Sequence, residues 1–228
     1  MIVDRLAEVR ARIDAVQRPF DHPVQITAVT KTFPPETVVA AIEAGCTAIG
    51  ENYAQDLLTK RDVIESFDPS VRPRVDFIGQ LQSNKVRQLV GLVDRWCTVD
   101  RSSLVRELAK RAPGADVLIQ VNVTGEKGKG GCEPDLVEDL VERCVESGLA
   151  VSGLLAVGPT GRPPGDAAAG FASVRSMVDE LGLAVCSMGM SADLEVAVAE
   201  GSTNVRIGSA IFGSRPDTPV HPEGDGRG

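Results

Sequence analysis

The chain has 228 residues, of which 43% are hydrophobic and 4% are aromatic, and its formal net charge is −8. This length suits one barrel or one doubly wound domain better than two α/β domains with separate cores. The chain is acidic, its Lys and Arg residues are scattered, and aromatic stacking residues are scarce. We therefore expect no nucleic-acid-binding surface.

Five cysteines and two histidines are spread along the chain. The cysteines are Cys46, Cys97, Cys132, Cys144 and Cys186. Their number is odd and no two have the Cys-x-x-Cys spacing, so neither a disulfide framework nor a metal site is expected. Most stand in apolar patterns typical of buried thiols, whereas Cys132 stands in a glycine-rich loop and is the one expected to be exposed.

The N-terminal segment predicts an amphipathic helix rather than a signal peptide. Its apolar residues Leu6, Val9, Ile13 and Val16 recur at spacings of three and four and share one face. No apolar run along the chain reaches the length of a membrane span. We therefore expect a cytoplasmic protein that does not associate with membranes.

The rest of the chain alternates between apolar strand patterns and amphipathic helix patterns. The predicted strands are residues 25–31, 48–51, 75–79, 95–100, 116–122, 150–157, 184–188 and 204–208. The predicted helices are residues 35–45, 53–66, 83–90, 102–111, 134–147, 166–181 and 191–200, with a short last helix through Ile211 and Phe212. Beyond Arg215 the sequence is rich in Pro, Gly and charge, so we expect one domain over residues 1–215 and a disordered tail over residues 216–228.

Eight strands, each followed by a helix, predict an α/β fold: a single-domain (β/α)8 TIM barrel with an extra N-terminal helix. Strands that are almost continuously apolar are typical of a sheet covered on both faces. An open flavodoxin-like or Rossmann sheet is the alternative, but it would leave some of the strands without a natural place.

Polar residues collect at the carboxyl ends of the predicted strands, where barrels of this kind carry their functional groups. Lys31 ends the first strand, and a lysine in such a place can lose its hydration and become a Schiff-base nucleophile. An isolated strand-end lysine more often simply reaches solvent. Asn52 and Ser191 are candidates too, although each is also a reasonable helix cap. Arg206 ends the eighth strand, where it would alternatively pair with a carboxylate on the barrel wall.

The loops after strands 7 and 8 form the usual phosphate site of such barrels. Ser191 stands in the first loop, and Gly208 and Ser209 open the last helix, where free N–H groups favour an anion. A phosphate there, together with an amine-reactive group over Lys31, would describe pyridoxal 5′-phosphate (PLP). Glycine- and serine-rich loops are common, so these residues alone leave that interpretation open.

Five motifs resemble the pyridoxal phosphate homeostasis protein family, formerly described as proline synthetase co-transcribed proteins. They are Ala28-Val29-Thr30-Lys31, Gly50-Glu51-Asn52-Tyr53, residues 77–85 (FIGQLQSNK), residues 187–193 (SMGMSAD) and residues 201–208 (GSTNVRIG). The resemblance runs from about residue 5 to residue 215. It implies an alanine-racemase-like barrel (fold type III) that holds PLP on a lysine and acts as a cofactor carrier or regulator without established turnover.

The resemblance also implies roles for individual residues. Lys31 matches the Schiff-base lysine, and Asn52 matches a pocket residue. Ser191, Gly208 and Ser209 match the phosphate-binding region. Arg206 matches the arginine that faces the pyridine nitrogen.

The chain departs from the family pattern at three places. Asp76 stands where a histidine is common, Thr32-Phe33-Pro34 lacks a frequent second lysine, and the loop at residues 124–131 is richer in glycine. None of these positions belongs to the expected pocket, although Asp76 removes any role that a histidine would have there.

We hypothesise that the protein stores PLP as an imine on Lys31 and delivers it to apo PLP-dependent enzymes. An always-charged guanidinium cannot accept the proton of the pyridine nitrogen, so the electron-withdrawing power of the ring is reduced. A racemase also needs a second base, and Tyr53 is the single tyrosine of the chain.

The alternatives are a small amino-acid racemase, a phosphate-sugar barrel enzyme, and an interaction protein acting through the loop at residues 124–131. The scarcity of aromatic residues indicates no apolar interface, so we expect a monomer.

Overall fold

The computed structural model describes residues 1–214, and in it eight parallel strands close into a barrel in chain order. The strands are β1 (Gln25–Val29), β2 (Ala48–Glu51), β3 (Arg74–Phe77), β4 (Arg95–Val99), β5 (Asp116–Val121), β6 (Ala150–Ala156), β7 (Val185–Ser187) and β8 (Asn204–Ile207). β1 pairs with both β2 and β8, so the carboxyl ends of these three strands are neighbours. The predicted (β/α)8 barrel is confirmed.

Ten α-helices surround the strands or follow them. They are α1 (Ile2–Asp14), α2 (Glu36–Glu43), α3 (Ala54–Thr59), α4 (Arg61–Glu65), α5 (Val86–Leu89), α6 (Ser102–Arg111), α7 (Val137–Glu146), α8 (Ala168–Glu180), α9 (Leu194–Ala199) and α10 (Ser209–Phe212), all within residues 1–214. Short 3₁₀ turns precede α5, α7 and α8. Among residues 1–214, no helix combines the length and the apolar character that crossing a bilayer requires.

The extra N-terminal helix is held by the last β/α unit. Its residues Leu6, Val9 and Ile13 are buried in one cluster with Ile207 of β8 and Ile211 of α10. This packing follows from the predicted spacing, because residues three and four apart share one face of a helix. The first and last elements therefore meet beside the β1–β8 pair.

Two predicted helices have different bounds. The helix expected over residues 53–66 is broken at Lys60 into α3 and α4. The helix expected from residue 191 begins at Leu194, so Ser191 is not its cap, and Asp193 occupies that position. The Asp193 carboxylate instead accepts the N–H of Met190 at 2.6 Å, which orders the loop before the helix.

The expectation that Cys132 is exposed is wrong. All five thiols are buried and unpaired, and 8% of Cys132 is accessible. The reason is a backbone bridge: the Cys132 N–H donates to the Gln120 carbonyl, and the Asn122 N–H donates to the Cys132 carbonyl, both at 2.9 Å. The predicted tail, residues 216–228, lies outside the described residues, as does residue 215.

Candidate functional site

Lys31 lies in a tight turn directly after β1. The Phe33 N–H donates to the Thr30 carbonyl at 3.1 Å, which closes a four-residue turn with Lys31 at its second position. Thr32, at the third position, has a φ of 65° and is the one non-glycine residue with positive φ among residues 1–214. A turn of type II needs positive φ at this position, and a β-branched residue adopts it at a cost. Other contacts must therefore hold the turn.

A buried ion pair lies beneath this turn. Lys60 Nζ donates to Glu51 Oε1 at 2.5 Å and to the Thr30 carbonyl at 2.7 Å, and the Thr30 hydroxyl donates to the same Glu51 oxygen at 2.6 Å. The side chains of Glu51 and Lys60 are 0% and 1% accessible. Burial raises the pKa of Glu51, while the charge and hydrogen bond of Lys60 and the hydrogen bond of Thr30 oppose that rise.

The sequence interpretation did not include Lys60. The signal was present, because Leu57, Lys60 and Ile64 recur at spacings of three and four and all three are buried. A lysine on the apolar face of a predicted helix indicates a buried charge that needs a partner. The partner, Glu51, belongs to the Gly-Glu-Asn motif beside Asn52.

Asn52 follows β2 and packs tightly against the loop after β3. A Cβ added at Gly79 would lie 1.9 Å from the Asn52 carbonyl oxygen, so only glycine fits there. Asn52 Oδ1 is buried and accepts no hydrogen bond within residues 1–214. A buried polar atom without a protein partner is uncommon, and it suits a position where a ligand or an ordered water donates.

The loops after β7 and β8 are joined to each other. The Ala210 N–H donates to Ser191 Oγ at 3.3 Å, so the predicted residue Ser191 contacts the start of α10. Gly208 directly precedes α10, and a Cβ there would lie 3.4 Å from the Val29 carbonyl oxygen. Gly208 and Ser209 are thereby placed beside the end of β1, on the same rim as Lys31.

Arg206 is buried inside the barrel, where 5% of it is accessible. Its guanidinium donates to the carbonyls of Ser187 and Ala156, each at 2.8 Å. Burial lowers the pKa of Arg206 below its ordinary value. The alternative in which Arg206 pairs with a carboxylate is wrong, since the atoms that accept its hydrogen bonds are backbone and hydroxyl oxygens.

A chain of hydrogen bonds runs through the barrel interior from Arg206 to Asp76. Ser187 Oγ accepts from Arg206 and donates to Asn204 Oδ1 at 2.9 Å. Asn204 Nδ2 donates to Thr27 Oγ1 at 3.1 Å, and Thr27 donates to Asp76 Oδ2 at 2.8 Å. Arg74 supplies the counter-charge of Asp76 at 2.7 Å. Asp76, which departs from the family pattern, is therefore the acidic end of an internal network.

The loop at residues 124–131 is tied to the loop after β6. Lys129 Nζ donates to the Gly158 carbonyl at 2.6 Å, and the Thr160 N–H donates to Glu126 Oε1 at 2.9 Å. The Thr160 N–H, helped by Lys129, lowers the pKa of Glu126 to about 2. These contacts hold the loop against its neighbour. They give no support to the alternative in which the loop acts as a freely extended interaction surface.

The chain has clear relatives among known proteins. Residues 5–216 match the family model of the alanine racemase N-terminal domain, which defines the class of the barrel. A pyridoxal phosphate homeostasis protein from Aquifex aeolicus (strain VF5) is 38% identical over 93% of this chain and 97% of its own length. The protein of the same name from Pseudomonas aeruginosa is 38% identical over 94% of this chain and 96% of its own length. This chain belongs to the pyridoxal phosphate homeostasis protein family.

Solved structures agree with the sequence matches. PipY of Synechococcus elongatus PCC7942, in a structure with PLP bound, is 30% identical, covers 93% of this chain and all of its own, and superposes with a TM-score of 0.80. Alanine racemase from Corynebacterium glutamicum is 14% identical and superposes with a TM-score of 0.73 over 96% of this chain and 62% of its own. The racemase comparison shows a shared fold only.

Proposed function

We propose that this protein binds PLP at the carboxyl ends of β1, β2, β7 and β8 and stores it for delivery to apo PLP-dependent enzymes. The observation that carries the proposal is the convergence of the predicted residues on one rim: Lys31 and Asn52 follow adjacent strands, and Gly208 packs against the end of β1. The PLP-bound structure of the relative PipY supports the same ligand class.

The residues of the rim fit the parts of PLP. Ser191, Gly208 and Ser209 would hold the phosphate, where hydroxyl groups and the backbone of the last helix gather. Asn52 Oδ1 would accept a hydrogen bond from the ligand, which explains why a buried oxygen lacks a protein donor. Arg206 would face the pyridine nitrogen, which it would leave unprotonated because a guanidinium has only donors.

Lys31 would hold the ligand covalently and reversibly. PLP supplies an aldehyde, and when the neutral Lys31 amine condenses with the aldehyde carbon, a C=N bond forms and one water leaves. The attachment needs no oxidant or reductant, and water or another amine reverses it. A reversible bond of this kind is what storage and transfer require.

We propose that catalytic turnover is not the role of this chain. Racemisation requires a base on each side of the substrate carbon, and Tyr53, the single tyrosine of the sequence, is 42% accessible. A side chain that faces water is poorly placed to hold a fixed position over a ligand. A small amino-acid racemase is the second candidate function, favoured by the shared fold. We further propose that the protein acts as a monomer in the cytoplasm.

The first experiment is a titration of the purified protein with PLP, followed by absorption from about 300 to 500 nm. We expect a band at about 420 nm that borohydride removes, with the reduced label mapped to Lys31 by peptide mass analysis. Lys31→Ala should abolish the band, whereas Lys110→Ala, which removes an exposed lysine on α6, should leave it unchanged. A wild-type protein that shows no band, or a label on another lysine, would contradict the proposal.

A second experiment separates storage from turnover. The loaded protein is mixed with an apo PLP-dependent enzyme, and recovery of that enzyme's activity is followed beside the loss of absorbance from the loaded protein. L-alanine and L-serine are tested in parallel for racemisation. We expect transfer without racemisation, and steady racemisation above the Lys31→Ala background would favour the enzyme instead.

A further inference from the structure

We propose that Lys60 and Asp56 are positioning residues for Lys31, because each fixes one of the two peptide groups that flank it. The inference rests on the proposed function, since its consequence is how readily the Lys31 amine forms its covalent bond. Neither residue is assigned to contact the ligand. Both belong to the segment after β2, so that segment would control the geometry of a lysine in the turn after β1.

Lys60 fixes the peptide group on the N-terminal side of Lys31. Its ammonium lies 2.7 Å from the Thr30 carbonyl oxygen, which belongs to the peptide bond between Thr30 and Lys31. The same ammonium is bound to Glu51, whose Oε1 also accepts the Thr30 hydroxyl. Residue 30 is therefore held through both its carbonyl and its side chain. The two charged partners are buried, so water does not compete for these bonds.

Asp56 fixes the peptide group on the C-terminal side. The Thr32 N–H, which belongs to the peptide bond between Lys31 and Thr32, donates to Asp56 Oδ2 at 3.0 Å. This bond also anchors the residue whose φ is 65°. A β-branched residue leaves the left-handed region unless its surroundings hold it there. Loss of the Asp56 acceptor would therefore let the turn relax and move the Cα of Lys31.

The break between α3 and α4 follows from the same arrangement. Asp56 lies on α3, and Lys60 lies at the junction where the helix expected over residues 53–66 is interrupted. The break accompanies the insertion of the Lys60 side chain into the interior while Asp56 faces the turn from the side. The two hydrogen bonds act on successive peptide groups. Together they fix the direction in which Lys31 leaves the backbone.

Two variants test the two contacts. Asp56→Ala removes the acceptor for Thr32, with Asp56→Asn as the conservative variant that keeps an acceptor oxygen, and Asp62→Ala as the control for loss of an exposed carboxylate from the same segment. The double variant Glu51→Gln/Lys60→Met removes both buried charges together, so that no lone charge stays buried. Thermal unfolding establishes that each variant is folded before binding is measured.

Each variant is tested with two probes. Borohydride-trapped labelling of Lys31 by PLP reports covalent attachment as a function of pH. Binding of pyridoxine 5′-phosphate, which lacks the aldehyde, reports the pocket without the covalent bond. We expect Asp56→Ala and the double variant to form the Lys31 label about tenfold more slowly with pyridoxine 5′-phosphate affinity unchanged, because misplacement of a reacting group costs rate. Asp56→Asn and Asp62→Ala should behave as the wild type.

The outcomes separate this inference from the proposed function. A wild-type protein that gives no Lys31 label would overturn the proposed function and this inference with it. If the wild type is labelled and both test variants are labelled at the same rate, only the positioning role is wrong. If labelling and pyridoxine 5′-phosphate affinity fall together, the two contacts support the pocket as a whole, and the specific role in placing Lys31 is also overturned.

Discussion

Arg206 Nη1 lies 2.8 Å from both the carbonyl oxygen and the hydroxyl oxygen of Ser187. One residue of β7 thus takes two hydrogen bonds from one nitrogen of β8, while the second terminal nitrogen, Nη2, reaches Ala156 on β6. The guanidinium therefore joins three neighbouring strands inside the barrel. Its position is set by the strands themselves, so a ligand that meets Arg206 would meet a group already held in place.

The Ser187 hydroxyl should contribute measurably to stability. Ser187→Ala removes an acceptor from Arg206 and a donor from Asn204, in a place where 1% of Ser187 is accessible. Because buried polar atoms lose their partners, we expect the free energy of unfolding to fall by about 1–3 kcal/mol. Urea denaturation measures the change. Ser176→Ala, which breaks an exposed hydrogen bond to Glu180, is the control and should change little.

The buried ion pair should show strong coupling between its members. Lys60→Met leaves Glu51 buried without its counter-charge, and we expect a loss of about 3–5 kcal/mol of unfolding free energy. The double variant Glu51→Gln/Lys60→Met should recover most of that loss, because neither charge is then buried. A double-mutant cycle from chemical denaturation gives the coupling energy. A loss in the double variant equal to the sum of the losses in Lys60→Met and Glu51→Gln would show that the pair is not coupled.

Gly79 should be needed for the conformation of Asn52. In Gly79→Ala the new Cβ would overlap the Asn52 carbonyl, so the loop after β2 must move. We expect PLP affinity to fall and the melting temperature to drop by several degrees. Gly165→Ala is the matched control, since no atom lies within 4 Å of a Cβ there. Unchanged PLP affinity in Gly79→Ala would mean that Asn52 has no part in binding.

The five thiols should be inert in the folded protein. Burial raises the pKa of Cys132 to about 11 and that of Cys144 and Cys186 to about 12, so almost no thiolate is present at neutral pH. A thiol-reactive chromogenic disulfide should modify less than one cysteine per chain until guanidinium is added, and five afterwards. Rapid labelling of Cys132 in the native protein would contradict its observed burial.

Acid should release the contact between the loops after β5 and β6. The Glu126 carboxylate has an ordinary pKa of 4.5 and a folded pKa of about 2, chiefly because it accepts the Thr160 N–H. A lowered pKa means that the contact stabilises the fold fully above the ordinary value and is lost as the pH falls from 4.5 towards 2. The chemical shift of the Thr160 amide should follow this titration, and it should stay constant in Glu126→Gln. A midpoint near 4.5 would show that the contact is absent in solution.

The barrel could be predicted because its strands are short apolar runs at regular intervals, each followed by a helical pattern. The same apolar pattern singled out two charged residues. Lys31 directly follows one apolar run, and Arg206 interrupts another. What these charged groups contact could not be predicted. Arg206 binds backbone carbonyls of two other strands, and such acceptors leave no trace in residue identities.

Two predictions, the continuous helix and the exposed Cys132, were wrong because contacts in the fold override the local sequence pattern. Residues 53–66 have a continuous helical pattern, but burial of the Lys60 ammonium against Glu51 accompanies a break in the helix. Cys132 stands among glycines, but a backbone bridge to β5 buries it. Lys60 lies nine residues from Glu51, and Cys132 lies twelve residues from the Gln120 carbonyl, so both pairs fall within a short stretch of sequence. Residue identities still do not show that these groups meet, because the fold brings them together.

The β7–β8 joint pairs at a single position, Ser187 with Asn204, whereas β1 and β8 pair at four. The first and last strands of the barrel are thus paired at four positions, and the shortest ladder of the barrel lies between β7 and β8. Main-chain hydrogen bonds from Thr203 to Cys186, Met188 to Asn204 and Arg206 to Gly189 also cross this joint. β7 is nevertheless paired at fewer positions than β5, so deuterium should enter the amides of β7 sooner than those of β5. A phosphate held between the loops that follow β7 and β8 would bridge this joint. Occupancy of the site and closure of the barrel would then be linked equilibria. Proteases would therefore cut the protein without ligand faster than the protein with ligand.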